Sequence, residues 1–310
     1  MSLLNSISEK QFVFILGAPR SGTTWLQAML AHHPSVAATP EIEQTFFDRY
    51  LVKLTKAWAV ECRNREEGKW VQGLPYLWSE AEFDGFVKDF FQKVYVKILE
   101  KNPAATHILD KHPNYSNHVA LIHKVAPKAK YVHIIRDGRN VAVSMISASR
   151  RLGFGPGDVG VAAQKWLEHT IHARKAEAYG ADSYYEVKYE DLVAHGKNRL
   201  LDIFAFCNLP VDEKLIETID EKKLYSSPNP EGNAAERRGQ TVWSAALSQH
   251  QKYLFNKIAG NLLKSLHYVD DDSWVFPSNV ARLKLFASIY PKEFMRRLKR
   301  AGSVLLNGSG

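Results

Sequence analysis

Apolar residues in this chain fall into short unbroken runs, alternating with longer stretches in which they recur every three or four positions. Residues 12–16, FVFIL, form such a run closed by Gly17, the pattern of a strand buried on both faces. The segment TWLQAMLAHH that soon follows carries Leu26, Met29 and Leu30 at helical spacing until Pro34, so strand, glycine turn and helix come in that order. Residues 79–101 predict an amphipathic helix with Phe83, Phe86, Phe90, Val94 and Leu99 along one side, ended by Asn102-Pro103. THILDK and KYVHIIRD predict two more strands around a helix, NYSNHVALIHKVA, that closes at Pro127. Beyond Arg139 the chain predicts helices at 140–151 and 161–179, a strand at SYYEVKY, and helices at 190–206 and 248–265, with no internal repeat. Strands alternating with helices predict an α/β fold of three layers: a central, mainly parallel sheet with helices on both faces and a ligand at the carboxyl ends of the strands.

Composition narrows the class. The 310 residues are 45% apolar and 24% charged, which excludes a disordered or collagen-like chain and fits one large α/β domain or two smaller ones. Two distant cysteines, Cys62 and Cys207, argue against a disulfide framework and a thiolate metal site. The first ten residues lack the charge and apolar run of a signal peptide, and no apolar stretch is long enough to span a bilayer. A soluble, cytoplasmic protein is the expectation. The net charge of +8 is uneven: seven basic residues against the single Glu293 lie between Arg282 and Arg300. That segment reads as a solvated basic helix face, with weak contact to an anionic membrane surface as the functional alternative, and the terminal 307–310 read as a flexible tail. Twelve aromatics fall within the 50 residues from Phe46 to Tyr95, against 11% overall. The excess points to a packed helical subdomain, an apolar acceptor pocket, or both.

The candidate chemistry begins at Gly17-Ala18-Pro19-Arg20-Ser21-Gly22-Thr23-Thr24. Its glycine spacing, after a strand and opening a helix, is that of a nucleotide phosphate loop, in which backbone N–H groups and a helix N-terminus bind an anion. Thr23 stands where the Walker pattern places its lysine, so a triphosphate lacks its main cation. Arg20 supplies a cation within the loop instead, which suits a single 5′-phosphate bearing a transferable anion. A second cluster follows the strand YVHII: Arg136-Asp137-Gly138-Arg139, with Ser144 two helical turns on. Arg136 and Ser144 can reach a further phosphate, although for this cluster taken by itself a surface salt bridge of Arg136 or Arg139 with Asp137 is the expected reading. His169 and His172 share a helix face without a third ligand, so no metal site is expected.

PRSGTTW after a strand, RDGRNVAVS after a later strand and RRG at 237–239 together resemble the sulfotransferases that use 3′-phosphoadenosine 5′-phosphosulfate (PAPS), over roughly residues 11–268. Arginine at position 20 and a glutamate after Pro40 look more like the tyrosylprotein group and bacterial members than the cytosolic ones, which carry lysine in the loop. The resemblance implies a P-loop-like nucleotide-binding architecture with PAPS as cosubstrate and adenosine 3′,5′-bisphosphate (PAP) as product. By it, Arg20, Ser21, Gly22, Thr23 and Thr24 form the 5′-phosphosulfate loop and Trp25 stacks on adenine. Arg136 and Ser144 bind the 3′-phosphate with Arg237, Arg238 and Gly239, and Tyr189 in KYEDL contacts the adenine. It further divides the chain into a catalytic domain, 1–270, with 46–100 as an aromatic-rich acceptor-pocket insertion, and a basic helical extension with a flexible tail, 271–310.

Sulfuryl transfer needs a base for the acceptor hydroxyl and cations on the transferring group. The resemblance offers Glu41 as base, with Glu43 close by, or His112 from the segment Asp110-Lys111-His112-Pro113, and Lys111 with Arg20 as the cations. The expected acceptor is a hydroxyl on an apolar or aromatic small molecule, a lipid or a carrier-bound acyl chain; no nucleic acid is expected. Two rivals make different predictions. A P-loop NTPase or kinase would turn over ATP with Mg²⁺, and a non-catalytic basic module would bind anionic lipid or nucleic acid through residues 282–300 without nucleotide affinity.

Overall fold

The computed structural model describes residues 7–39, 46–69, 73–211, 215, 243–276, 278–291 and 295. The chain divides into two compact units, Met1–Arg136 with Glu168–Thr241, and Asp137–Leu167 with Val242–Gly310.

The first unit is built on five strands: β1 (Gln11–Leu16), β2 (Val36–Ala38), β3 (His107–Lys111), β4 (Lys130–Ile135) and β5 (Tyr184–Lys188). They form one sheet in the order β2-β3-β1-β4-β5, every neighbouring pair parallel. A parallel sheet needs both faces covered, and the side-chain alternation of β1 supplies both. Phe12, Phe14 and Leu16, with Ile108 and Tyr131, bury one face in a core shared with α3 (Glu80–Leu99) and α4 (Val119–Val125). Val13 and Ile15, with Leu109, Val132, Ile134 and Val187, bury the other against α1 (Thr23–Leu30), α7 (Tyr189–Ala194) and α8 (Gly196–Phe206). The three layers expected from the sequence are present.

α3 opens on a capping box in which Ser79 and Glu82 bond reciprocally. Its buried stripe is Phe83, Val87, Phe91, Tyr95 and Leu99, spaced by four. The expected stripe through Phe86 is therefore rotated: Phe86 is 46% exposed, because a period of four follows the core better than the mixed spacing read from phenylalanines alone. α2 (Val52–Glu66) follows a π-helical turn at Phe47–Leu51. Trp58 of α2 stacks on Phe83 at 4.1 Å between ring centroids.

In the second unit, α5 (Gly138–Leu152) is capped by Asp137, whose side chain accepts from the Arg139 N–H at 2.9 Å, and ends at Gly153. α6 (Val159–Arg174) begins here and ends within the first unit by sequence. α9 (Trp243–Ala246), α10 (Gln249–Ser265) and α11 (Asn279–Ile289) complete it. A Cβ on Gly138 would lie 2.4 Å from the Trp166 ring, so the start of α5 must be glycine for that indole to pack. Arg139 binds Asp137 through two nitrogens, and its guanidinium lies 3.9 Å from the Trp243 ring centroid and 4.9 Å from that of Trp274. The Arg139–Asp137 pair expected at the surface is thus buried, with aromatic faces in place of water. Among the described residues no helix is long and apolar enough to cross a membrane.

A polar cluster around His133 interrupts the core of the first unit. His133 on β4 is fully buried, with Nδ1 2.6 Å from the Tyr184 hydroxyl and 3.3 Å from Glu186 Oε2. Arg174 donates to both Glu186 oxygens, at 2.8 and 2.6 Å. Burial acts to raise the Glu186 carboxyl, but Arg174, His133 and Tyr184 outweigh it and hold that carboxyl well below the ordinary range. Burial lowers the His133 imidazole. Both shifts favour the deprotonated form in the folded chain, so the unfolded chain binds more protons and stability falls on acidification. The His133 contribution is present in full above ~6.5 and is lost below it; that of Glu186 is lost as pH falls below ~4.3. The urea midpoint is therefore expected to drop between about pH 7.5 and about pH 5, with His133→Gln flattening that step. A wild-type midpoint constant over the interval would contradict the linkage.

Candidate functional site

The parallel order places the carboxyl ends of β3, β1 and β4 side by side, with Ile15 opposite Lys111 and Leu16 opposite His133. The chain leaves β1 toward β2 and β3 on one side and later continues to β4 and β5 on the other. The exit of β1 is thus the switch point at which open α/β sheets bind ligands.

Gly17 starts the loop at φ +148°, and a Cβ there would lie 2.6 Å from the Ile134 carbonyl oxygen. Its N–H donates to Ser116 Oγ at 3.0 Å. The turn closes through Ser21 N–H to the Ala18 carbonyl, 3.1 Å. Arg20 and Gly22 both take left-handed backbone conformations, φ +72° and +99°. Gly22 is the N-cap of α1 and offers no side chain to the first-turn amides, so the helix presents its N–H groups and the positive end of its dipole uncapped. Beside them Ser21 Oγ is buried, the residue 1% exposed, and has no hydrogen-bond partner among the described residues. Thr23 is buried and Thr24 half-buried in the first turn, while Arg20 is exposed. Uncapped amides, an unsatisfied hydroxyl and an arginine form an anion cradle.

Arg136, one residue past β4, donates from a terminal nitrogen to the Arg20 carbonyl at 3.2 Å. Its guanidinium carbon lies 4.5 Å over the Tyr189 ring. Tyr189 opens α7 directly after β5, and a Cβ on Gly22 would meet its ring at 2.7 Å. Trp25 is buried edge-to-face against Tyr189, centroids 6.2 Å apart. The structure therefore gathers Arg20, Gly22, Trp25, Arg136 and Tyr189, residues drawn from three segments of sequence.

On the β3 side Lys111 is 1% exposed. Before it, Asp110 is fully buried and accepts from the hydroxyls of Thr39, Tyr95 and Tyr115 and from the Lys111 N–H. Burial first, and then the Asp110 charge, push the Tyr95 and Tyr115 hydroxyls well above their ordinary value. These tyrosines therefore stay protonated and donate. His112 is half-buried, its Nδ1 lying 3.3 Å from the Asn114 backbone nitrogen and 3.5 Å from Asp48 Oδ2. Asp48 also meets His118 Nε2 at 3.1 Å and the Asn114 side-chain amide at 2.7 Å. Burial acts to raise the Asp48 carboxyl, but the bonds from His118 and Asn114 and the adjacent His112 outweigh it and leave it low.

Ser144 is a buried residue of α5 in the second unit. Glu41, Glu43, Arg237, Arg238 and Gly239 lie outside the described residues. Sequence reasoning passed over Asp110, Ser116 and Asp48. For Asp110 a signal existed, a carboxylate inside an apolar strand run; Ser116 and Asp48 carry none, since their partners are distant in sequence.

A model described as the sulfotransferase family matches residues 12–213, more than half of the chain. Protein-tyrosine sulfotransferase A of Caenorhabditis elegans is 28% identical over 207 residues, 66% of this chain and 52% of that protein. Protein-tyrosine sulfotransferase 1 of Danio rerio is 28% identical over 211 residues, 66% and 55%. The chain spans about half the length of these curated relatives. Among solved structures, the sulfotransferase domain from the Synechococcus PCC 7002 olefin synthase is similar at 24% identity, covering 81% of this chain and 96% of that one, with a TM-score of 0.48. The matched span takes in the anion cradle, the Lys111 strand end, Arg136 and Tyr189, and with it this chain belongs to the sulfotransferase family.

Proposed function

We propose that the chain transfers a sulfuryl group from PAPS to a hydroxyl of an organic acceptor and releases PAP. The observation that carries the reading is the cradle at Gly17–Thr24: a buried, unsatisfied Ser21 hydroxyl beside uncapped helix amides, with arginine in the loop and threonine where a triphosphate site needs lysine. Such a site holds one 5′-phosphate and its anionic substituent.

The loop amides and Ser21 bind the 5′-phosphate oxygens, and Arg20 supplies a cation in the loop for the charge that builds on the bridging oxygen. Arg136, oriented by the Arg20 carbonyl and the Tyr189 face, takes the 3′-phosphate, while Trp25 and Tyr189 border the adenine. Lys111 offers a buried cation to the sulfuryl oxygens. The base removes the acceptor proton as the new O–S bond forms and the bond from sulfur to the 5′-phosphate oxygen breaks; the electron pair of that bond stays on the 5′-phosphate of PAP, and the sulfate ester keeps the charge of the sulfuryl group. Two residues fit the base: Glu41, and His112, which acts through Nε2 in the tautomer whose Nδ1 proton faces Asp48 Oδ2, 3.5 Å away.

The acceptor hydroxyl sits on an apolar or aromatic body in this reading. Supporting it, a ladder of rings runs from Tyr95 beside Asp110 through Phe46 and Phe90 to Tyr50, at 5.7, 6.5 and 6.4 Å between centroids, and Tyr50 is 60% exposed. The relatives' names specify protein tyrosine, itself a phenol.

A thermal shift with PAP beside ATP tests the donor. PAP at a hundred times its dissociation constant is expected to stabilise the fold by about 2.7 kcal/mol; a rise with ATP and none with PAP would overturn the proposal. Gly22→Ala is expected to abolish the PAP shift, because alanine at φ +99° must also displace the Tyr189 ring, at a cost of about 1–3 kcal/mol in stability. Lys111→Met is expected to lower kcat by ~10²–10³, and at least one of Glu41→Gln and His112→Ala by ~10²–10⁴. If both base variants turn over at the wild-type rate, neither residue is the base.

A further inference from the structure

Asp110 occupies the penultimate position of β3 and is fully buried. Oδ1 accepts from the Thr39 hydroxyl and from the Lys111 N–H at 2.7 Å; Oδ2 accepts from the hydroxyls of Tyr95 and of Tyr115, the latter at 2.7 Å. A carboxylate has about four lone-pair sites, so its accepting capacity is filled. Packing alone does not account for such a group, since an apolar side chain occupies a buried site at lower cost than a charge.

The four donors tie together different parts of the carboxyl edge. Thr39, one residue past β2, is held at all three of its polar groups: its N–H by the Leu109 carbonyl at 3.0 Å, its carbonyl by Gln27 Nε2 at 3.0 Å, and its hydroxyl by Asp110. Tyr95 belongs to α3, and Tyr115 to the 3-10 turn Pro113–His118. Next to Tyr115 is Ser116, whose Oγ accepts from the Gly17 N–H at 3.0 Å. One carboxylate thus joins the exit of β2, the exit of β3 and, through two adjacent residues, the first residue of the phosphate loop. Strand alternation sends the Asp110 side chain to the α3 face and that of Lys111 to the α1 face, so Asp110 acts on Lys111 through the backbone.

We propose that Asp110 is a positioning residue for sulfuryl transfer: it fixes Lys111 relative to the phosphate loop while touching neither nucleotide nor acceptor. The inference rests on the PAPS reading above. A displacement of about 1 Å between reacting groups costs on the order of 10²-fold in rate, so a fixed separation between the loop and the lysine matters to turnover more than to binding.

Thr39→Val and Tyr115→Phe each delete one hydroxyl bonded to Asp110 while nearly preserving volume. In each, kcat is expected to fall by about tenfold or more, with PAP affinity within about twofold of wild type, and Thr39→Ser is expected to restore the rate. Amide hydrogen exchange gives a readout independent of any acceptor: Tyr115→Phe is expected to reduce protection at Gly17, whose N–H donates to Ser116, the residue next to Tyr115. Wild-type kcat in both variants with a lowered melting temperature would overturn the proposal and leave Asp110 a stability element. Wild-type protein that transfers no sulfuryl group counts against the donor assignment, and the exchange measurement then decides the positioning alone: unchanged Gly17 protection in Tyr115→Phe overturns it.

Discussion

The exit of β1 runs so close to β4 that no side chain fits between them: the Ile134 carbonyl oxygen lies 2.6 Å from where a Cβ on Gly17 would be. That contact follows from the central place of β1, flanked by β3 and β4 in a fully parallel sheet. The loop after β1 therefore lies between the strand that ends at Lys111 and the strand that leads into Arg136, and Arg136 reaches back to the Arg20 carbonyl of the loop. Moving β1 to an edge would leave the same loop with a neighbour on one side only.

Two kinds of polar group result. The anion cradle leaves donors unsatisfied, as Ser21 shows, whereas the Asp110 side of the same edge matches each acceptor site with a donor. Unsatisfied buried groups are tolerated in folded proteins where a ligand completes them, and filled networks where rigidity is required. The edge of this sheet thus separates a region prepared to receive charge from one that holds its own.

Much of this was legible in the sequence because the signals are local. A strand of continuous apolar residues, a glycine pair at fixed spacing and a helical repeat after it specify β1, the loop and α1 without reference to anything distant, and Arg136 is marked by its place after another apolar run. β2 escaped because three residues, Val36-Ala37-Ala38, are too few to show a period. α2 escaped because Val52 is the sole buried residue among its fifteen, so it carries no apolar stripe. The aromatic excess between Phe46 and Tyr95 fills the core at Phe47, Phe83, Phe91 and Tyr95, yet leaves Tyr50, Tyr76 and Phe86 exposed; composition alone does not separate the two groups. Asp110 and Ser116 acquire meaning only when β3 lies beside β1, a pairing between residues about a hundred positions apart.

Arg20 holds a backbone shape that favours glycine, at φ +72°, and carries the loop's charge from there. An L-residue in that region costs on the order of 1 kcal/mol in the empty protein. Glycine at this position would relax the chain and forfeit the guanidinium, while a β-branched residue would sharpen the strain without supplying charge. A guanidinium in the loop and a comfortable backbone are therefore opposed at one residue, which makes position 20 the place where charge is held at the expense of fold stability.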